Sequence, residues 1–343
     1  MSKKWPGGII TPTPATPTGP YQNSAASGIW TIPQADYWIK QDLWPTAGNV
    51  NIVRGLFGGG YNGSLVNTNI ISYITIATTG NATSFGELTV ARYYLAACSS
   101  ISRGVFGGGY TDTAVNQSVM DYVTISTTGN ATTFGNLTLA RRYLAGCSSG
   151  TRGVFGGGQD AAPTDQSLMD YITIATTGNA TTFGNLTVAR PRLTACANST
   201  RGVFGGGLVS GTPQSVMDYI TIATTGNATT FGNLAVAKST LAACASSTRG
   251  VFGGGTSGSA QSAIDYITIA TTGNTTTFGN LTSARQNLAA CASTTRGTFG
   301  GGGGSVGSPT NTIDYITIAT VGNATSFGQL TITPGDLASC SGT

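Results

Sequence analysis

Histidine is absent from the 343 residues, and glutamate occurs once, as Glu87. The first absence removes the commonest general base and metal ligand, and the second excludes a Glu/Glu pair for glycoside chemistry. Charged residues make up only 8% of the chain, with a net charge of +4. Without a Lys/Arg cluster that field is too weak and diffuse to mark a nucleic-acid partner. No apolar run approaches bilayer-spanning length, so membrane insertion is not expected. The start, Met-Ser-Lys-Lys-Trp-Pro-Gly-Gly, has positive charge but no apolar stretch behind it, which argues against a signal peptide. Close cysteine pairs are also missing. Cys98, Cys147, Cys196, Cys244, Cys291 and Cys340 are spaced too widely for a Cys-x-x-Cys metal site and read as small buried apolar residues. The chain is therefore not expected to be an enzyme, and no catalytic residue, metal or cofactor is expected.

What the chain does contain is one unit written six times. Arg54, Arg103, Arg152, Arg201, Arg249 and Arg296 each open an Arg-Gly-x-Phe-Gly-Gly-Gly run, at spacings of 49, 49, 49, 48 and 47 residues read from their numbers. A fixed period of this length marks a repeat architecture. In the third copy, alternation and turn residues give strands at Gly153-Val-Phe-Gly, Met169 to Ile174, Ala180-Thr-Thr-Phe-Gly and Leu193 to Ala197, with a turn at Thr176-Thr-Gly-Asn179. Four short strands per unit, with no sustained 3.6-residue period, predict a propeller blade rather than a helical solenoid.

The order of features, Arg141, the Leu144 to Cys147 strand, Gly156-Gly157, Asp170-Tyr171 and Phe183, resembles the kelch repeat. Phe stands where that family carries Trp, and the Asp-Tyr pair is reversed. The likeness covers residues 50 to 343 and implies a β-propeller, or an adaptor that binds a peptide. Asp121, Asp170, Asp218, Asp265 and Asp314 recur once per unit, which implies a role in the fold, expected to be hydrogen bonds to neighbouring backbone. The asparagine in each Gly-Asn turn is expected to serve a left-handed backbone, and its Asn-Ala-Thr match to a glycosylation acceptor is set aside with the signal peptide.

The phase of the chain predicts closure. The first copy enters at Arg54 without a Leu-Ala-Ala-Cys strand, and the last residues, Leu337-Ala-Ser-Cys-Ser341, are that strand with no unit after it. Pairing it beside Gly55 to Gly58 completes a sixth blade and removes two open edges. The expected fold class is all-β: a six-bladed propeller of four-stranded blades over 50–343, closed by the C-terminal strand, behind an extended arm over 1–49.

Compared with one another, the six copies vary in two places only: after the glycine triplet, and just after the Arg or Lys that precedes each Leu-Ala-Ala-Cys strand. In a four-stranded meander both places emerge at the same end of the strands. Loops on a rigid scaffold are where binding usually lies, so one face is the candidate ligand surface. It comprises Tyr61, Asn62, Tyr93, Tyr94, Tyr110, Asp112, Arg142, Tyr143, Gln159, Asp160 and Arg192, with tyrosines suited to stacking on sugars.

The arm holds all four tryptophans, Trp5, Trp30, Trp38 and Trp44, in a proline-rich path with a short helix expected from Pro33 to Leu43. Large rings on a segment that cannot bury them suggest docking. The stretch Ser24-Ala-Ala-Ser-Gly-Ile-Trp-Thr-Ile-Pro-Gln, followed by Leu43-Trp-Pro, resembles a segment of tailed-bacteriophage virion structural proteins. That resemblance implies a virion component, assembled in the host cytoplasm in several copies per particle. It would join other virion proteins through residues 1–49 and display the propeller to a host-surface glycan or protein, or else act as a capsid or tail decoration protein.

Overall fold

A computed structural model describes residues 53–342, apart from 63, 65 and 306. The tryptophan arm and the helix expected in it lie outside the described residues. The described residues are all-β and form six four-stranded antiparallel blades in a ring. In the third blade the strands run outward from the axis as Ala145–Ser148, Arg152–Gly156, Leu168–Thr173 and Thr181–Asn185. The last three are segments the alternation pattern predicts, shifted by a residue or two at their ends; the fourth predicted segment, Leu193 to Ala197, is the innermost strand of the next blade, at Thr194–Ala197. The fourth blade adds a two-residue strand, Leu208–Val209, in its variable loop.

Closure follows the phase argument. Ala338–Ser341 is the innermost strand of the first blade and pairs with Arg54–Gly58, placing Leu56 opposite Cys340 and Gly58 opposite Ala338. The six innermost strands then neighbour one another around the axis, the last touching the first.

Each hydrophobic core lies between two blades rather than inside one. Phe134, Leu137 and Met120 of the second blade pack with Phe155, Ile172 and Leu144 of the third, and the first and sixth blades share Phe57, Ile74, Ile313 and Phe327 in the same way. A flat blade has no interior, so burial of each phenylalanine, worth about 1.5–3 kcal/mol, requires the neighbouring blade. The small residues have the same cause. All six cysteines are free and buried, and Cys98 sits so close to the next blade that a Cβ on Gly153 would lie 2.3 Å from its sulfur.

In every blade the outermost strand carries a one-residue bulge at its phenylalanine, between Met169↔Gly184 and Asp170↔Thr182 in the third. The bulge turns Phe183 inward, where it meets Tyr171 edge to face at 6.2 Å. The tyrosine's other contact is the repeat-opening arginine: Arg152 stacks over it at 4.4 Å and donates to the Ile222 and Ala223 carbonyls of the next blade. Arg296 does the same across the closure, to Ile76 and Ala77.

The near-identical Gly-Asn turns have a different purpose from the one expected. None of these asparagines has a positive φ. Instead each turn caps the outer edge of the preceding blade: Gly178 and Ala180 donate to Phe134 and Asn136, and Asn179 Oδ1 accepts the Asn136 N–H. The approach is so close that a Cβ on Gly135 would fall 2.1 Å from the Gly178 oxygen. Six outer strand edges are thereby covered, the general remedy for unpaired strands.

The recurrent aspartates also differ from expectation. They form buried ion pairs with the cation preceding the innermost strand: Arg92–Asp121 at 2.9 Å, Arg141–Asp170 at 2.6 Å, Arg190–Asp218 at 2.8 Å, Lys238–Asp265 at 3.0 Å and Arg285–Asp314 at 2.6 Å. The Arg190 pair is close but poorly aligned, leaving Asp218 Oδ2 without a hydrogen bond. Backbone bonds are the minor part, as from the Thr89 and Thr282 amides.

Candidate functional site

Each of these five cations is followed, two residues on, by a residue at the rim of the central axis, and in the first blade Asp336 follows Pro334 at the same interval. These six are Tyr94, Tyr143, Arg192, Thr240, Asn287 and Asp336, and all have left-handed backbones, with φ between 53° and 61°. Their main chains form a closed cycle. Tyr143 N–H donates to the Tyr94 carbonyl, Arg192 to Tyr143, Thr240 to Arg192, Asn287 to Thr240, Asp336 to Asn287 and Tyr94 to Asp336, all at 2.9–3.0 Å. The cycle fixes the order around the axis and puts Asp336 opposite Arg192, and Tyr143 opposite Asn287. With the strands below, these residues line a funnel of about 150 Å³ at the mouth of the axis.

A left-handed backbone costs a residue with a Cβ about 1–2 kcal/mol and costs glycine almost nothing. The chain has 51 glycines, yet none occupies any of the six positions. The side chains there also diverge among the repeats: two tyrosines, an arginine, a threonine, an asparagine and an aspartate.

The sequence-predicted face is partly assembled around this mouth. Tyr94, Tyr143 and Arg192 belong to the cycle itself. Tyr61, Tyr93, Tyr110, Arg142 and Gln159 form the next tier, where the two variable places meet as short bridges, Tyr93↔Tyr110, Arg142↔Gln159 and Tyr61↔Gly335. The aromatic rings are continuous from Tyr61 to Tyr93 (5.8 Å), Tyr93 to Tyr94 (4.1 Å) and Tyr94 to Tyr143 (3.8 Å). Arg142 lies 4.3 Å over Tyr110, and Arg192 lies 4.3 Å over Tyr143 with its tip 2.9 Å from the Tyr143 hydroxyl. Three other predicted residues are not brought in. Asn62 and Asp160 use their side chains to hold their own loops, accepting from Ser64 and Val66 and from Ala162 and Thr164, while Asp112 is exposed on its loop.

Thr240, Asn287 and Asp336 complete the ring without having been singled out. Asp336 is hidden in the sequence because Pro334-Gly335 replaces the Arg/Lys-x pair, but aligning the copies on Leu95, Leu144, Leu193, Leu241, Leu288 and Leu337 brings it into register. Its Oδ2 is shielded from solvent and has no hydrogen-bond partner among the described residues. Burial pushes the carboxyl well above its ordinary range, against the opposing influence of Arg192 and a hydrogen bond from Tyr61. Burial, then the neighbouring Asp336, likewise raises the Tyr94 and Tyr61 hydroxyls.

A raised carboxyl pKa has a defined sign in stability. Below about pH 4 folded and unfolded chains are both protonated, and Asp336 contributes no difference. As pH rises, the unfolded carboxyl ionises freely while the folded one resists, so stability is lost toward neutrality. Asp336→Asn, which keeps the shape and tolerates the left-handed backbone, is expected to raise the melting temperature at pH 7 by at least about 2 °C. The gain should shrink to nothing near pH 4; a pH-independent change in thermal melts would refute the assignment.

The chain matches no protein-family model and no curated relative.

Proposed function

We propose that the chain is a non-enzymatic structural protein of a tailed-bacteriophage virion, docked through residues 1–49, whose propeller presents its axial mouth to a host-surface glycan. The observation that carries the display role is the set of six strained, non-glycine residues, of five kinds, on one hydrogen-bonded cycle. Backbone strain retained at equivalent positions, on a scaffold otherwise repeated almost without change, favours side chains kept for recognition. The mouth suits a sugar: tyrosine rings give the funnel an apolar wall, and Asp, Asn, Thr and Arg offer acceptors and donors at its edge. The virion setting is supported by the phage-like stretch in the arm, and the non-enzymatic reading by the lack of histidine and the single carboxylate in the cycle.

The test is adsorption. Particles carrying Tyr94→Asn and Tyr143→Asn together, both compatible with a left-handed backbone, are expected to bind host cells at least about tenfold more weakly, the equivalent of roughly 1.4 kcal/mol. Melting temperature and incorporation should be unchanged. Unchanged adsorption would reject the display reading, and if particle stability fell instead, decoration would replace it.

A further inference from the structure

Among the described residues, the two buried polar atoms of the mouth that lack partners are both acceptors, and they are neighbours. Asp336 Oδ2 and Asn287 Oδ1 belong to adjacent members of the cycle, joined by the Asp336 N–H to Asn287 carbonyl bond. Asn287 is only 7% exposed. Buried acceptors left unpaired are uncommon because each costs about 1–3 kcal/mol.

The donors already in the mouth do not suffice for this pair: the Tyr61 hydroxyl, which hydrogen-bonds Asp336, brings a single proton to it. Arg192, the cation of the cycle, sits on the opposite side and is committed to the ring and hydroxyl of Tyr143. Thr240, beside Asn287, turns its hydroxyl to the Ser239 carbonyl. What would satisfy this half of the funnel is a group with several donors and a positive charge. A hydroxyl brings one donor and no charge, whereas an ammonium brings three donors and a full charge. Next around the cycle from Asp336 come Tyr94 and Tyr143, whose rings line the funnel and give it an apolar wall for the carbon skeleton of a pyranose.

We propose that the mouth is a subsite for an amino sugar with a free amine, its ammonium seated between Asp336 and Asn287 and its ring against Tyr94 and Tyr143. This rests on the glycan reading and narrows it to one substituent. The tyrosines supply apolar contact that any sugar would share, while the acceptor pair supplies the discrimination. An N-acetylated amine offers a single N–H and no charge, and a hydroxyl at the same carbon leaves one acceptor unpaired, so both are rejected by the logic that makes unpaired buried groups costly.

The experiment is calorimetric titration of the full chain with three tetrasaccharides of the same β-1,4 linkage: glucosamine, N-acetylglucosamine and glucose. The glucosamine tetramer is expected to bind at least about tenfold more tightly than either of the others. Asp336→Asn is expected to bring the three to near parity while remaining fully folded by thermal melt, which also separates the subsite from general attraction of a polyamine. Equal affinities in the wild type, a preference for the acetylated or neutral tetramer, a preference that survives in Asp336→Asn, or no binding of the glucosamine tetramer would each overturn the amine subsite. Those results leave the display reading to the Tyr94/Tyr143 adsorption measurement, so the two fail separately.

Discussion

Removal of residues 337–343 is expected to abolish the cooperative unfolding transition of the propeller, not merely to lower it. These residues supply the innermost strand of the first blade, four paired positions on Arg54–Gly58, and the buried side chains of Leu337, Ala338 and Cys340 in the cores on both flanks of that blade. A single buried leucine truncation costs about 2–5 kcal/mol. Losing a whole strand together with its core contacts exceeds the 5–15 kcal/mol by which domains are ordinarily stable. The loss is one of connectivity, and a permuted chain should restore it. In the other blades six residues run from the cysteine to the arginine, as in Cys147 to Arg152. Joining Thr343 directly to Val53 gives Cys340-Ser-Gly-Thr-Val-Arg54, the same length. A chain of residues 333–343 fused ahead of 53–332 should therefore melt within a few degrees of the 53–343 control. Retention of a normal melt after the deletion, or failure of the permuted chain to fold, would show that the terminal strand does not close the ring.

That closure was legible because a repeat displays its own phase: an incomplete first copy and a surplus last strand have one mutual solution. The cysteines and the one-sided variable loops were legible for a related reason, since identical positions in six copies share one environment. What escaped were partnerships between distant parts of a unit and between units. Asp170 recurs from unit to unit, and so does its partner Arg141, 29 residues earlier, but a shared period does not say which positions touch. The Gly-Asn turns were explained locally, whereas their invariance comes from the neighbouring blade's edge. The axial cycle was only half visible, because left-handed positions are sought at glycine and here carry six other residues. Asp336, the centre of the chemistry proposed for the mouth, was displaced by the substitution of Pro334 for a cation.

That same substitution leads to the other large effect. At five blades a cation and an aspartate are buried together; at the first blade Pro334 stands in the cation's place and Ser72 in the aspartate's, and the Ser72 hydroxyl meets Thr331 instead. Neither change occurs alone among the six copies. The reason is electrostatic. Burial pulls the Arg141 guanidinium below its ordinary value and Asp170 opposes that shift, so each charge is tolerable only beside the other. Arg141 further donates to the Gly157 and Leu168 carbonyls, which keeps it from retreating to solvent. Asp170→Ser alone is therefore expected to cost about 3–5 kcal/mol in chemical denaturation. Adding Arg141→Met, which removes the stranded charge and fills its volume with an apolar chain, should recover most of that loss although it deletes a second native interaction. A double variant as unstable as the sum of its parts would mean that the pair acts by hydrogen bonding to the Gly157 and Leu168 carbonyls alone, and that the joint exchange at Pro334 and Ser72 has no electrostatic cause.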